Sequence, residues 1–353
     1  LVLFLSFKIN FREGYMNLFR KIAYSYAFAL ITAAALLGSC SNKEEFRMDE
    51  GMVWNTTYHI TYQSDKALGD SIIKELDKVG KSLNVFDSCS LVSRANRELS
   101  TPVDTHFATV YKMAKEVSHM TSGAFDPTLG PLIKAWGFGP GHTATADTLH
   151  IDSLLAITGI DRTELRGDTL YKDDVRTNFN FSAIAKGYGC DCVARMLERN
   201  GVQNYLVEIG GEIVAAGESP SGKDWSVSVD RPVLGAAPDS RESQAIVGFT
   251  GKGMATSGNY RNFHKESGHV YGHTISATTG RPVQTDVISA TVLAPSCMEA
   301  DALATAFMAM GSEKSRSLND SLKLPVMLIL SDTTVWASEE FKAILVPENR
   351  GRN

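Results

Sequence analysis

Tyr205-Leu-Val-Glu-Ile-Gly-Gly-Glu-Ile-Val-Ala-Ala216 decides the fold class of this chain. Two five-residue runs dominated by aliphatic side chains flank Gly210-Gly211. Paired glycines supply the positive φ angles that a two-residue hairpin requires. The pattern therefore predicts two strands, Tyr205–Ile209 and Glu212–Ala216, joined directly with no helix between them.

Outward from this hairpin the same kind of segment recurs. Thr57 to Tyr62 alternates as a half-buried strand does, and 225–230, 245–250, 288–294 and 325–330 read as further strands. Ile72, Leu76, Val79 and Leu83 share one helix face, as do Phe107, Val110, Ala114 and Val117. The alternation over Val175 to Phe181 predicts a strand that runs into a helix carrying Ile184, Tyr188, Met196 and Leu197. Strands in succession, without regular βαβ alternation, predict an α+β domain with mixed or antiparallel sheets and packed helices. Neither a G-x-G-x-x-G nor a Walker loop is present, so a Rossmann or P-loop phosphate site is not supported.

The amino-terminal region reads as an export signal. Met16 begins a positively charged start with Arg20 and Lys21, residues 22–37 are apolar apart from Ser, Thr and Tyr, and Leu37-Gly-Ser-Cys40 matches a lipobox. An apolar run this short, ending at small residues before a cysteine, is a lipoprotein signal peptide rather than a spanning helix. Residues 1–15 then read as upstream translation, 16–39 as the signal peptide, 40–51 as a polar tether, 52–346 as the folded domain and 347–353 as a tail. Cys40 is expected to be lipidated, which anchors the domain to a bacterial membrane on the periplasmic side. Cys89, Cys190, Cys192 and Cys297 form no dense framework and are expected to be buried free thiols.

With 40 acidic and 35 basic residues the chain carries a formal charge of −5, and removal of 1–39 takes it to −8. No basic or aromatic-interleaved patch stands out, which argues against a nucleic-acid partner. Roughly 300 residues remain, enough for a large core. Pro232 to Ser243, rich in Gly, Ala and Pro, reads as a surface loop.

Chemistry concentrates in Met298-Glu-Ala-Asp301-Ala-Leu-Ala-Thr305-Ala-Phe-Met-Ala-Met310. Asp301 and Thr305 stand one turn apart on an otherwise apolar helix. A carboxylate and a hydroxyl suit Mg²⁺, which takes few protein ligands and completes its octahedron with water and phosphate oxygens. The same pair also fits an acidic residue favoured by the helix dipole and a Thr bonded back to a carbonyl. Lys186, in the first turns of a helix, adds an ammonium to a helix start and so suits a phosphate.

Four further blocks extend this reading: Gly123-Ala-Phe-Asp126-Pro-Thr, Asn178-Phe-Asn180-Phe-Ser-Ala183-Ile-Ala-Lys186-Gly-Tyr, Gly253-Met-Ala-Thr-Ser257-Gly258-Asn-Tyr-Arg261 and His273-Thr-Ile-Ser-Ala-Thr-Thr-Gly280. With the Asp301 block they resemble, in order, the motifs of the ApbE family of FAD:protein FMN transferases. The resemblance covers Met52 to Val346. It implies a duplicated T-fold-like α+β core with FAD in a cleft between its halves. The implied reaction is Mg²⁺-dependent transfer of FMN from FAD to a threonine of an exported flavoprotein, with AMP leaving. Acceptors by family are redox-pump subunits. Residue by residue, the resemblance puts Mg²⁺ on Asp301, Thr305 and the main-chain carbonyl of Ala183. It places FAD against Trp54, Phe86, Ala124, Phe125, Asp126, Asn180, Lys186 and Thr274, with His273 as general base. FAD pyrophosphatase activity and non-enzymatic FAD binding by a lipoprotein are the competing readings.

Several positions depart from the family pattern. Trp54 and Asn55 replace Met-Gly, Asn180 and Asn259 replace Asp, and Ser276-Ala277 replaces Asp-Pro. The departures bear on individual contacts, whereas the Asp301 block is intact.

Overall fold

A computed structural model describes residues 45–138, 150–232, 242–258, 263–266, 269–272 and 274–347, with backbone only for 263–266 and 269–272. Its centre is an antiparallel sheet of eight strands in the order β1-β2-β6-β7-β10-β13-β14-β15. These are Phe46–Val53, Thr56–Gln63, Tyr205–Ile209, Glu212–Ala216, Lys252–Gly258, Val287–Ala294, Val326–Leu330 and Val335–Ala337. The predicted hairpin forms with Ile209 opposite Glu212. Smaller sheets are made by β3 (Ser100–Pro102), β4 (Thr163–Arg166) and β5 (Thr169–Lys172), by β8 (Trp225–Asp230) with β9 (Ser243–Phe249), and by β11 (Phe263–Glu266) with β12 (His269–Gly272). The expected α+β class with antiparallel pairing is the one observed.

The helices of eleven or more described residues are α1 (Gly69–Leu83), α2 (Thr105–Met120), α3 (Ala185–Arg199), α4 (Cys297–Met310) and α5 (Ser312–Leu322). One sheet face buries Tyr58, Ile60, Val207 and Ile209 with Ile72 and Leu76 of α1 and Val193 and Leu197 of α3. The other face collects Ile213, Met254, Leu293 and Met327 under Trp225 and Val229 of the β8–β9 hairpin. The apolar α4 lies in the largest core cluster with α2, where Phe307 and Phe107 are fully buried.

Three expectations need correction. Val175 to Phe181 forms no ladder: Val175 and Arg176 lie in a turn, and the one bridge joins Asn178 to Leu129. The Phe179 N–H and carbonyl are instead satisfied by the Asn96 side chain, at 2.7 and 2.9 Å, and the Asn180 N–H by the Pro127 carbonyl. Alternation reports an extended segment buried on one side; it does not say what pairs with its backbone. The expected tether overlaps β1, which begins at Phe46 and pairs with β2 along its whole length. Cys89 is exposed in a turn closed by Asp87 Oδ1, whereas Cys190, Cys192 and Cys297 are buried and free. Residues 233–241 of the expected surface loop lie outside the described residues, as do Cys40 and His273.

Among the described residues no helix is long and apolar enough to cross a membrane.

Candidate active site

Two close approaches build the site. A Cβ on Gly187 of α3 would fall 2.3 Å from the Cys297 carbonyl oxygen, and one on Gly253 of β10 would fall 2.2 Å from the Cys297 nitrogen. The amino end of α4 can sit this close to both elements because neither has a side chain there. Asp191 of α3 then caps it, accepting the N–H groups of Cys297 and Met298 at 2.9 Å each. Capping of orphan N–H groups by a buried carboxylate fixes the rotation of α4. That rotation points Asp301 and Thr305 into a cleft of about 960 Å³ at the hairpin end of the sheet.

The floor of the cleft is polar and charged. Asp301 Oδ2 accepts the Gly187 N–H at 3.1 Å, and its Oδ1 lies 3.8 Å from Lys186 Nζ. In an uninterrupted helix the Gly187 N–H would reach back four residues to the Ala183 carbonyl. With that donor taken by Asp301, the Ala183 carbonyl has no hydrogen-bond donor among the described residues. Ala183, Asp301 and Thr305 all line the cleft, and the Thr305 hydroxyl is 3.0 Å from that of Ser257. A freed carbonyl, a carboxylate and a hydroxyl form a set of hard oxygen donors that fits Mg²⁺. The described residues hold no cluster of three or more His, Cys, Asp or Glu side chains for a metal, so a fit depends on the carbonyl and hydroxyl.

Glu212, which sequence reading passed over, completes the floor. Its side chain is 5% exposed, Oε1 lies 3.2 Å from Lys186 Nζ, and Oε2 has no hydrogen-bond partner among the described residues. Burial pushes the Glu212 carboxyl up to about 8, against the pull of the Lys186 ammonium. Burial also raises Asp301, with Lys186 and the Gly187 N–H opposing it. Burial works against the charge of Lys186, but the two carboxylates outweigh it and hold its pKa above the ordinary value. The available signal was a lone carboxylate opening an aliphatic strand straight after Gly-Gly, at the helix-facing register position opposite Ile209.

The walls hold most of the remaining expected contacts. Ala124, Phe125, Asp126, Asn180 and Thr274 line the cleft, and Phe86 stands at its edge, 50% exposed. The Asp126 carboxylate is spent on protein donors, accepting the Thr128 N–H and hydroxyl at 2.8 and 2.6 Å and the Ile160 N–H at 3.0 Å. Burial raises its pKa while those hydrogen bonds oppose the shift. Asn180 Oδ1 accepts the Ser182 N–H at 2.9 Å, closing the turn before α3.

Trp54 falls outside the main cleft. It sits at φ +48° in the β1–β2 turn with Asn55 at φ +62°, where Asn is among the side chains that best tolerate the left-handed region. Its ring is wedged between Gly80 of α1 and Gly189 of α3. There it lines a side pocket of about 160 Å³ that shares Phe86, Ser182 and Lys186 with the cleft.

Apolar groups stand at both ends of this polar floor: Leu129, Ile133, Phe138 and Ile275 on one side, Ile213, Val227, Val229 and Met254 on the other. Fold and cleft together define an α+β protein with a charged floor set between two apolar groups of side chains. The chain belongs to the ApbE family, whose model matches residues 54–328. It is 37% identical over 331 residues to the FAD:protein FMN transferase of Vibrio cholerae, covering 89% of this chain and 97% of the relative. Identity to the Haemophilus influenzae protein of the same name is 33% over 317 residues, covering 85% and 91%. The structure of the flavin transferase ApbE from Vibrio cholerae superposes with a TM-score of 0.77 at 35% identity, covering 85% of this chain and 99% of that one. The apo flavinyl transferase ApbE of Pseudomonas stutzeri gives 0.76 at 29% identity, covering 86% and 99%.

Proposed function

We propose that this chain is an Mg²⁺-dependent FAD:protein FMN transferase that moves FMN from FAD to a threonine hydroxyl of an exported flavoprotein and releases AMP. The observation that carries the metal-dependent reading is the exchange at the start of α3, where Asp301 takes the Gly187 N–H and so frees the Ala183 carbonyl toward the cleft. The relatives named FAD:protein FMN transferase support the transfer reading.

Asp301, Thr305 and the Ala183 carbonyl would hold Mg²⁺. When bound, the ion would neutralise the two phosphates of FAD and favour departure of the AMP oxygen. Lys186 would add a second positive charge at the pyrophosphate, with Glu212 holding its ammonium at the floor. The opposed apolar walls would seat the two ring systems and exclude water from the bond that breaks. Backbone atoms of Ala124, Phe125 and Asp126 would meet the ligand, because the Asp126 carboxylate is already committed. Phe86 would stack on a flat ring at the edge. His273 would take the proton of the acceptor hydroxyl as it attacks phosphorus.

We further propose that Cys40 is lipidated and that the cleft works on the periplasmic side of a bacterial membrane, as the lipobox suggests. The acceptor would be a subunit of a redox pump. The deciding experiment is mass spectrometry of a candidate acceptor incubated with this protein, FAD and Mg²⁺. Covalent FMN on a threonine is expected. Free FMN without acceptor labelling would replace transfer with hydrolysis, and unchanged FAD would leave only a binding role.

A further inference from the structure

The hairpin that brings Glu212 to the floor presents a second carboxylate on its other side. Side chains alternate across a strand, so Ile209 and Glu212 face the helices while Glu208 faces the opposite way. The register sets His59 beside Glu208, with Glu50 beyond it on the edge strand. His59 Nδ1 lies 2.6 Å from Glu208 Oε2, and Glu208 Oε1 accepts the Gly211 N–H at 2.6 Å. A carboxylate fixed by a main-chain donor thus fixes the imidazole. Nε2 is the ring nitrogen left without a partner among the described residues.

Both side chains line the cleft, together with Thr57. From there the same face runs outward to the sheet edge, where Met52 is opposite Thr57 and Met48 opposite Thr61. The two methionines are 71% and 65% exposed. Phe46, on the same side of β1, is covered by Trp225 of the β8–β9 hairpin, with ring centroids 6.1 Å apart. The cover stops short of Met48 and leaves an exposed strip, Met48 and Met52 with Glu50 between them, that leads into the cleft.

We propose that this strip is the docking surface for the acceptor protein: the segment around the target hydroxyl lies on Met48, Met52 and Thr57, and His59, held by Glu208, hydrogen-bonds it. The proposal rests on the transferase reading above. A transferase that modifies a protein needs a surface continuous with its cleft, and this strip meets that need at His59. Its position also favours a polypeptide over a part of FAD. Lys186, suited to the pyrophosphate, stands on the floor between two buried carboxylates and is 30% exposed, whereas the His59 side chain is 51% exposed at the rim. Methionine side chains adapt to varied partner shapes. An imidazole with one nitrogen engaged can donate or accept through the other, which suits a hydroxyl or a main-chain group. His59 and Glu208 are positioning residues in this scheme and take no part in bond making.

The test is steady-state flavin transfer by the full chain with acceptor and FAD varied separately, and FAD binding measured directly. Met48→Glu with Met52→Glu changes only exposed side chains, so folding is not at stake. It should raise the acceptor KM about tenfold or more, with FAD affinity at its wild-type value. His59→Ala and Glu208→Gln should each raise the acceptor KM as well, Glu208→Gln by less because the ring itself remains. If FAD affinity falls while the acceptor KM stays put, the strip serves the small ligand and the proposal is wrong. An unchanged acceptor KM with weakened binding to anionic lipid vesicles would give the methionines to the membrane and also overturn it. Wild-type labelling is read first, so failure of the transferase reading shows as no labelled acceptor, and failure of the docking surface as wild-type kinetics in the variants.

Discussion

Replacing Glu212 by Gln should flatten the pH dependence of stability of the metal-free protein. The folded Glu212 carboxyl is raised to about 8 by burial, from an ordinary value of 4.5. A carboxyl whose folded pKa is raised contributes stability that is complete below its unfolded pKa and is lost as pH rises through the folded one. Ligand-free wild type should therefore weaken steadily from about pH 4.5 to about pH 8. Each unit corresponds to ~1.36 kcal/mol, which puts the ceiling for this one group near ~5 kcal/mol. Asp301, also raised by burial and tied to the same ammonium, shares the loss, so the realised difference should be on the order of a few kcal/mol. Gln cannot ionise and keeps the shape. The assay is urea unfolding in EDTA at several pH values for both proteins. Other buried carboxyls such as Asp126 and Asp191 are also raised and contribute equally to both, so the difference isolates Glu212. Parallel pH profiles for wild type and Glu212→Gln would refute the reasoning.

Asp301→Asn keeps an acceptor for the Gly187 N–H but removes the charge, and should raise the Mg²⁺ concentration needed for half-maximal transfer by ~100-fold or more, a loss of ~2.7 kcal/mol. Thr305→Ala should raise it by only about tenfold, since a hydroxyl is a neutral ligand; equal effects in a magnesium titration would contradict the assignment. Lys186→Met should weaken FAD binding by roughly 10- to 100-fold, the size of one charge-assisted contact. The variant should also lose much of the salt sensitivity of wild-type binding, and an unchanged ionic-strength slope would return Lys186 to a structural role. His273→Ala should leave FAD binding intact and slow transfer by ~10²–10⁴-fold; retention of wild-type rate and pH profile would place the base elsewhere.

Periodic features of the sequence carried over to the structure well. The Tyr205–Ala216 hairpin, the strand at Thr57–Tyr62 and the helices around Leu76 and Val110 form where spacing puts them, because each buries one face and repeats at its own period. Val175–Phe181 shows the limit of that signal: its alternation is real and Phe179 and Phe181 are buried, yet its backbone partners are an Asn96 side chain and the loop at Pro127. No local pattern can announce a partner some eighty residues away. The Asp301–Thr305 pair was legible because residues four apart share a helix face. Glu212 was marked only as a lone carboxylate opening an aliphatic strand, because its role comes from the meeting of β7 with α3 and not from any spacing within either element.

The glycine after Lys186 shows why the block is built as it is. A residue with a Cβ there would strike the Cys297 carbonyl and push α4 away from α3. Asp301 would then lose the Gly187 N–H, and that N–H would be free to return to the Ala183 carbonyl as in an ordinary helix. One added methyl group, which would also press on Asp301 Cβ at 2.9 Å, would thus disturb two of the three proposed metal ligands. The tight crossing and the donor set are a single arrangement, and Lys186 rides on it because the same turn of α3 sets its ammonium between Asp301 and Glu212. Charge balance follows from this geometry. With no cation at Asp301, one ammonium serves two buried carboxylates, and Glu212 Oε2 is left without a hydrogen-bond partner among the described residues. A cation at Asp301 would release Lys186 to Glu212 and to a bound phosphate, so the proposed metal site and the proposed FAD site should strengthen each other.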